Sequence, residues 1–373
     1  MSDPREKNEP KAPYFAKLNS TSFPFGLGSD NHSGVHPRIL KTFDIINRGF
    51  APSYGTDEVT EEAVQVFRSH FGEKTAVYFC FNGTAANVLA LAPLVDSHNA
   101  VICSDVSHIN VDECGAPEKH LGIKLMTVTT TNGKITPDLV RPHLIRRGDQ
   151  HFSQANVVSI TQPTEFGTVY TKAEVAALAD FCHRHDLWFH VDGARFINAA
   201  TALACELRDA AASADVISFG GTKNGLMFGE AVLFVSDRAQ KAAKDFPFIR
   251  KQLMQLPSKT RFIAAQFIEL LATDLWREIS ENSCARAQQL RRGLERVAEH
   301  AASGSLRFTQ KTEANAVFAI FDKSLEKAIK KSAFFYNWNE ETRECRLMTS
   351  WNTTEADIER VIEVARTQIA SAR

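Results

Sequence analysis

Residues 187–225, LWFHVDGARFINAATALACELRDAAASADVISFGGTKNG, hold two β-rich runs that each stop abruptly at a polar or glycine-rich turn. The first, Leu187 to Val191, ends at Asp192-Gly193-Ala194-Arg195. The second, Asp215 to Phe219, ends at Gly220-Gly221-Thr222-Lys223-Asn224-Gly225. Outward from this stretch the same alternation of short β runs and helical segments extends back to about residue 75. Thr75 to Cys80 reads as a strand, and Asn82-Gly83-Thr84 opens an Ala/Leu-rich helix to about Val95. Strands follow at Ala100 to Ser104, Ile123 to Thr130 and Val157 to Thr161, with an amphipathic helix around Leu139 to Ile145. Thr171 and Glu174 form a capping box, in which hydroxyl and carboxylate satisfy free amides at the start of a helix ending near His185. Glu230 to Ser236 reads as one more strand. This pattern predicts an α/β protein with a mostly parallel central sheet flanked by helices.

Beyond Ser236 the pattern changes to long helices between about Lys251 and His300. Arg346 to Trp351 reads as a strand, and Thr354 with Asp357 caps a final helix. Ile358, Val361, Ile362, Ala365 and Ile369 share one face of that helix, which predicts packing on a small domain. The expected organisation is an N-terminal tail over 1–24, a large domain over 25–265, and a smaller C-terminal α+β domain over 266–373. The charged, proline-containing tail is expected to be mobile or to drape over a neighbour.

The 373 residues carry 43 Lys+Arg against 44 Asp+Glu, a balance that supplies no field for a polyphosphate backbone and argues against nucleic acid as partner. A small-molecule ligand is expected instead. The 7 cysteines are scattered without a CxxC pair, an odd count that fits reduced thiols and a cytoplasmic setting better than a disulfide framework. The first twenty residues lack the apolar run of an export signal, and no stretch approaches the ~20 apolar residues needed to cross a bilayer. No HExxH or clustered Cys/His spacing is present, so no metal site is expected.

In an open parallel sheet, ligands bind beyond the carboxyl ends of the strands, so the residues after each β run form a privileged set. Gly83-Thr84 sits where a strand turns into a helix, and its free amides can hold one phosphate. With neither GxxxxGK nor GxGxxG, a nucleoside triphosphate or dinucleotide is disfavoured, and taken alone the segment reads first as a plain helix N-cap. Asp192 places a carboxylate at the rim of an apolar strand and needs a partner. Arg195 is the local choice, and a cofactor pyridinium nitrogen is the functional alternative. Lys223 follows two glycines at a strand end. A desolvated lysine near other cations becomes a nucleophile toward an aldehyde. Amine, pyridine-nitrogen partner and phosphate cradle on one strand-end surface are the three needs of pyridoxal phosphate.

The chain resembles the fold type I, aspartate-aminotransferase-like pyridoxal-phosphate enzymes, and within them the low-specificity L-threonine aldolases. Ser29-Asp30-Asn31, Tyr54-Gly55, the run Phe81 to Asn87, His108 with the run Asp112 to Pro117, the run His190 to Arg195 and the run Ser218 to Gly225 carry the resemblance. It extends from about Phe25 to about Gln368. The resemblance implies that Lys223 holds the cofactor as a Schiff base, Asp192 pairs with the pyridine nitrogen and His108 stacks on the ring. Asn82, Gly83, Thr84 and Thr222 would hold the phosphate, and Arg195 would lie near the ring's phenolic oxygen or the substrate. Arg346 matches the carboxylate clamp, a role suited to a bidentate guanidinium. Ser29, Asn31 and Tyr54 would contact the amino acid, and Lys251 or Arg261 would reach a phosphate across a subunit interface.

One departure from that family bears on mechanism: Glu165 stands about where many members carry a histidine. The proton acceptor is then Glu165 or His108, directly or through water. The implied reaction is retro-aldol cleavage of L-threonine or L-allo-threonine to glycine and acetaldehyde by a homo-oligomer, a dimer of dimers. The alternatives are an aldolase for phenylserine-type amino acids, a β-eliminating lyase, and a non-catalytic binding protein, the last opposed by the intact Lys223 and Asp192.

Overall fold

The computed structural model describes residues 25–371, so the expected tail over 1–24 lies outside the described residues. Seven strands form the large sheet: β1 (Ala76–Cys80), β2 (Asn99–Ser104), β3 (Lys124–Val128), β4 (Gln154–Thr161), β5 (Trp188–Gly193), β6 (Val216–Gly220) and β7 (Glu230–Phe234). Their spatial order is β1-β7-β6-β5-β4-β2-β3. Only β7 runs antiparallel to its neighbours within this sheet. Every residue of β2, β6 and β7 is buried, as a sheet covered on both faces by helices requires.

Among the described residues the helices of eight residues or more are α1 (Pro37–Ile46), α2 (Glu58–Phe71), α3 (Gly83–Leu91), α4 (Lys172–Arg184), α5 (Arg261–Ala272), α6 (Leu275–Ala298), α7 (Lys323–Lys330) and α8 (Glu355–Ser371). Phe67 of α2, Phe219 of β6 and Phe267 of α5 pack on one face of the sheet, while Leu89 of α3 and Phe234 of β7 pack on the other. Each such aromatic or aliphatic side chain removed from water contributes about 1.5–3 kcal/mol before entropy is set against it. The Thr171–Glu174 capping box is present at the start of α4. The helix expected around Leu139 to Ile145 is instead two short turns, Pro137–Val140 and Arg141–Leu144. Pro142 supplies no N–H there, which prevents one continuous ladder.

The second sheet is antiparallel, with β8 (Leu306–Phe308), β9 (Ala316–Phe321), β10 (Tyr336–Asn339) and β11 (Glu344–Met348) in the order β10-β11-β9-β8. Ile358, Val361, Ile362, Ala365 and Ile369 of α8 are its buried face, as the sequence spacing predicts. Leu270, Leu271, Leu275 and Ile279 belong to the large core, whereas Ala287, Leu290 and Leu294 belong to the small one. The two cores therefore change over within α6, past the expected boundary at 265/266. Leu27 also joins the small core, fastened by Leu27 N–H to Phe334 O at 2.6 Å and by Met348 N–H to Leu27 O at 2.7 Å. This fastening sets Asp30 between the two domains.

Candidate active site

A cavity of about 460 Å³ opens beyond the carboxyl ends of β4, β5 and β6. Lys223 reaches it because the chain turns sharply after β6. A Cβ at Gly220 would lie 2.3 Å from Ala194 O, and one at Gly221 2.4 Å from Gly229 O, so both positions accept only glycine. Among the described residues Lys223 Nζ has no hydrogen-bond or ion-pair partner. Burial, then the Arg195 guanidinium, lower its pKa.

Asp192 closes β5 and is buried. The local pairing with Arg195 does not form: Arg195 Nε and Nη2 donate to Asp30 at 2.5 and 3.0 Å instead. Asp192 Oδ1 accepts Ala194 N–H at 3.0 Å, and Oδ2 accepts Asn87 Nδ2 at 2.8 Å. The same Asn87 nitrogen donates to Glu113 Oε1 at 2.8 Å, and that oxygen lies 2.8 Å from His108 Nδ1. His108, Glu113, Asn87 and Asp192 thus form one connected chain behind the cavity. The hydrogen bond to Glu113 raises the His108 pKa.

Glu165 sits in the turn after β4. Its Oε1 accepts the His108 backbone N–H at 2.8 Å and the Thr161 hydroxyl at 2.6 Å, while its buried Oε2 has no partner among the described residues. Burial pushes its carboxyl up to about 7. On the opposite wall Asn82 caps α3, its side chain accepting Ala85 N–H at 2.9 Å, and Gly83 and Thr84 line the cavity. Thr222 lines the same wall, its hydroxyl donating to Glu230 Oε1 at 2.7 Å.

The geometry brings Lys223, Asp192, His108, Glu165, Asn82, Gly83, Thr84, Thr222, Arg195 and Asn31 around one cavity. Ser29, Tyr54, Arg261 and Arg346 do not line it within this chain. Ser29 caps the short turn Asp30–His32, accepting Asn31 N–H at 3.2 Å. Tyr54 is half-exposed, with Lys251 Nζ 5.2 Å from its ring, and Arg261 lies over Phe262. Arg346 projects from β11 over the Trp338 ring, 4.4 Å from its centroid, and its buried Nε has no partner among the described residues. Burial, then Arg195, hold Arg346 down to about 10.

Residues 26–324 match the family model of the beta-eliminating lyases. The chain belongs to that family. The low specificity L-threonine aldolase of Pseudomonas aeruginosa is 41% identical over 346 residues, which cover 91% of this chain and 96% of that one. The enzyme of the same name from Pseudomonas sp. is 38% identical over 337 residues, 89% of this chain and 94% of that one. Among solved structures, Leishmania major threonine aldolase superposes with a TM-score of 0.86 at 27% identity, covering 93% of this chain and all of that one.

Asp30, Asn87, Glu113 and Glu230 join this family member's site without having been assigned a role from sequence. Glu230 carries the readable signal: a lone acid opening the otherwise apolar strand Glu230-Ala-Val-Leu-Phe234 is a buried carboxylate in need of donors. Asp30, Asn87 and Glu113 lie inside the quoted motifs, but apart from the His108–Glu113 pair their partners are distant in sequence.

Proposed function

We propose that this protein cleaves the Cα–Cβ bond of L-threonine or L-allo-threonine to give glycine and acetaldehyde, with pyridoxal 5'-phosphate as cofactor. The observation that carries this reading is the convergence of an unpaired lysine, a buried aspartate and an imidazole on one cavity. The cofactor fits the donor set: the partner-free Lys223 suits its aldehyde, Asp192 its pyridine nitrogen, and the amides at Gly83-Thr84 its phosphate. The cavity volume falls within the range of about 300–1000 Å³ usual for small-molecule sites. When bound, the cofactor supplies an electron-accepting pyridinium ring conjugated with the substrate's Cα.

The protein residues divide the remaining work. Asp192, held by Asn87 and Ala194, would pair with the cofactor's pyridine nitrogen and keep it protonated. His108, which lines the cavity with its Nδ1 committed to Glu113, would pack against the ring of the bound cofactor. Arg346, whose buried Nε is unpartnered among the described residues, would grip the substrate carboxylate and so orient the Cα–Cβ bond for cleavage. Glu165 Oε2 accepts the β-hydroxyl proton as the aldehyde departs, and Cα is then protonated to yield glycine. A reducing, cytoplasmic setting accords with the seven unbridged cysteines. A homo-oligomer, a dimer of dimers, accords with the exposed Phe50, Tyr54, Phe248 and Met254. Such an interface would also give Tyr54 and Arg261 a neighbouring site to serve.

Incubation of the loaded enzyme with L-threonine and L-allo-threonine tests the reaction. Equimolar glycine and acetaldehyde are expected, whereas a 2-oxo acid and ammonia would establish elimination instead. Arg346→Ala should raise KM for the amino acid by at least about 30-fold, the loss on removing one partner of a buried charge pair, with cofactor content unchanged. An unchanged KM removes the clamp. For Glu165, the competent form is the carboxylate, which predominates above its pKa of about 7. The wild-type kcat/KM should therefore rise with pH toward and through 7. Glu165→Gln should lose that limb and about 10²–10⁴-fold in rate. A variant keeping the limb transfers the role to His108.

A further inference from the structure

Glu230 is a buried carboxylate that the reaction above does not use, and it stands directly behind the phosphate cradle. Both of its oxygens are engaged from one turn: Gly221 N–H donates to Oε2 at 2.6 Å, and the Thr222 hydroxyl donates to Oε1 at 2.7 Å. This arrangement conflicts with the role of Thr222 toward a phosphate. A hydroxyl has one hydrogen, and while it points at Glu230 it offers a phosphate oxygen only lone pairs. An ionised carboxylate would moreover stand next to a dianion in a site largely removed from water.

We propose that Glu230 takes up one proton from solvent when a tetrahedral dianion enters the cradle, so that its carboxylic acid donates to Thr222 Oγ1 and Thr222 turns its hydrogen onto the dianion. The proton balance is complete: carboxylate plus one solvent proton gives the acid, the Glu230–Thr222 hydrogen bond reverses direction, and one new hydrogen bond to the anion forms. The Gly221 N–H to Oε2 bond is the same in both states and fixes which oxygen carries the proton. Burial already brings Glu230 up to about 7, so the proton is available near neutrality. Among the described residues the titratable groups facing Glu230 are Lys223, in the turn that precedes β7, and Cys80, its cross-strand partner on β1. Cys80 is pushed far up by burial and stays a thiol, whereas Lys223 also loses charge as pH rises. Arg195, Asp30 and Asp192 also act on Lys223, the first lowering and the other two raising its pKa.

This inference rests on the phosphate-cradle reading, and its test separates the two. The full-length chain, freed of cofactor, is titrated with sulfate, a tetrahedral dianion without a pKa in this range, between pH 6 and pH 8.5. In parallel it is titrated with pyridoxal phosphate, followed by near-visible absorbance. One proton linked to a pKa of about 7 weakens wild-type sulfate binding by up to about 30-fold over that interval, beyond any Lys223 contribution. Glu230→Gln, whose amide donates to Thr222 and whose carbonyl still accepts from Gly221, should bind as the protonated form does and lack that 30-fold component. Proton uptake at pH 8, wild type minus variant, should be about 0.9 per sulfate. Thr222→Val reads the same coupling independently of whether Glu230→Gln folds, and should bind weakly at every pH. Normal pyridoxal phosphate uptake with parallel wild-type and Glu230→Gln pH profiles overturns the proton switch alone. No uptake of either anion at any pH overturns the cradle reading and the switch with it.

Discussion

Lys223→Ala should abolish the near-visible absorbance of the bound cofactor and lower turnover by about 10⁴-fold or more, the scale on which loss of a covalent nucleophile acts. The position demands a primary amine. Arginine would keep the charge without the nucleophile and should fail equally. A structural lysine would reveal itself through stability, and here the expectation runs the other way. Lys223 Nζ has no partner among the described residues, and burial with Arg195 lowers its pKa. With the folded-state pKa below the unfolded one, the folded chain binds fewer protons at intermediate pH, so ionised Lys223 costs stability near neutrality. Lys223→Ala should therefore hold or raise Tm while eliminating catalysis. A variant that keeps both the absorbance band and turnover removes Lys223 from the chemistry. One that loses activity only in step with Tm makes the residue structural.

The contrast between Lys223 and Arg195 shows what a sequence makes legible. Strand ends are local properties, and in a parallel sheet they converge, so Lys223, Asp192, Glu165 and Gly83-Thr84 could be assigned to one surface from the alternation of β runs and helices. Hydrogen-bond partners are not local. Arg195 stands three residues from Asp192, yet Ala194 N–H and Asn87 satisfy that carboxylate, leaving the guanidinium to Asp30, 165 residues away. Asn87 and Glu113 likewise sit within quoted motifs, but their joint hold on His108 and Asp192 arises only when α3 packs beside β5. The handover of cores inside α6 was hidden for a related reason. The helix is continuous, and which core each turn enters depends on where β9 and α8 lie.

Asp30 is where the two domains meet, and its removal should be costly. It accepts two bonds from Arg195, which follows β5, and one from Asn315 Nδ2 at 3.3 Å, just before β9. Its own segment is fastened to the small sheet through Leu27. Burial alone would raise its pKa, but Arg195, with Lys223 and Arg346, outweighs burial and holds the carboxyl below its usual range. Because the folded-state pKa lies below the unfolded one, the stabilisation is present above the unfolded value of about 3.9 and disappears as pH falls through the folded value. Asp30→Ala at pH 7 should cost about 3–5 kcal/mol, since it strands a buried guanidinium beside Arg346 and Lys223. The gap to wild type in urea unfolding should shrink only below about pH 4. A double variant, Asp30→Ala with Arg195→Met, removes the stranded charge and should recover most of the stability, because an apolar pair often replaces a buried ion pair without loss. It should not recover catalysis if Arg195 orients the substrate beside Arg346. Recovery of stability and activity together would reduce the Asp30–Arg195 pair to a hinge pin between domains. Recovery of stability alone keeps it in the site.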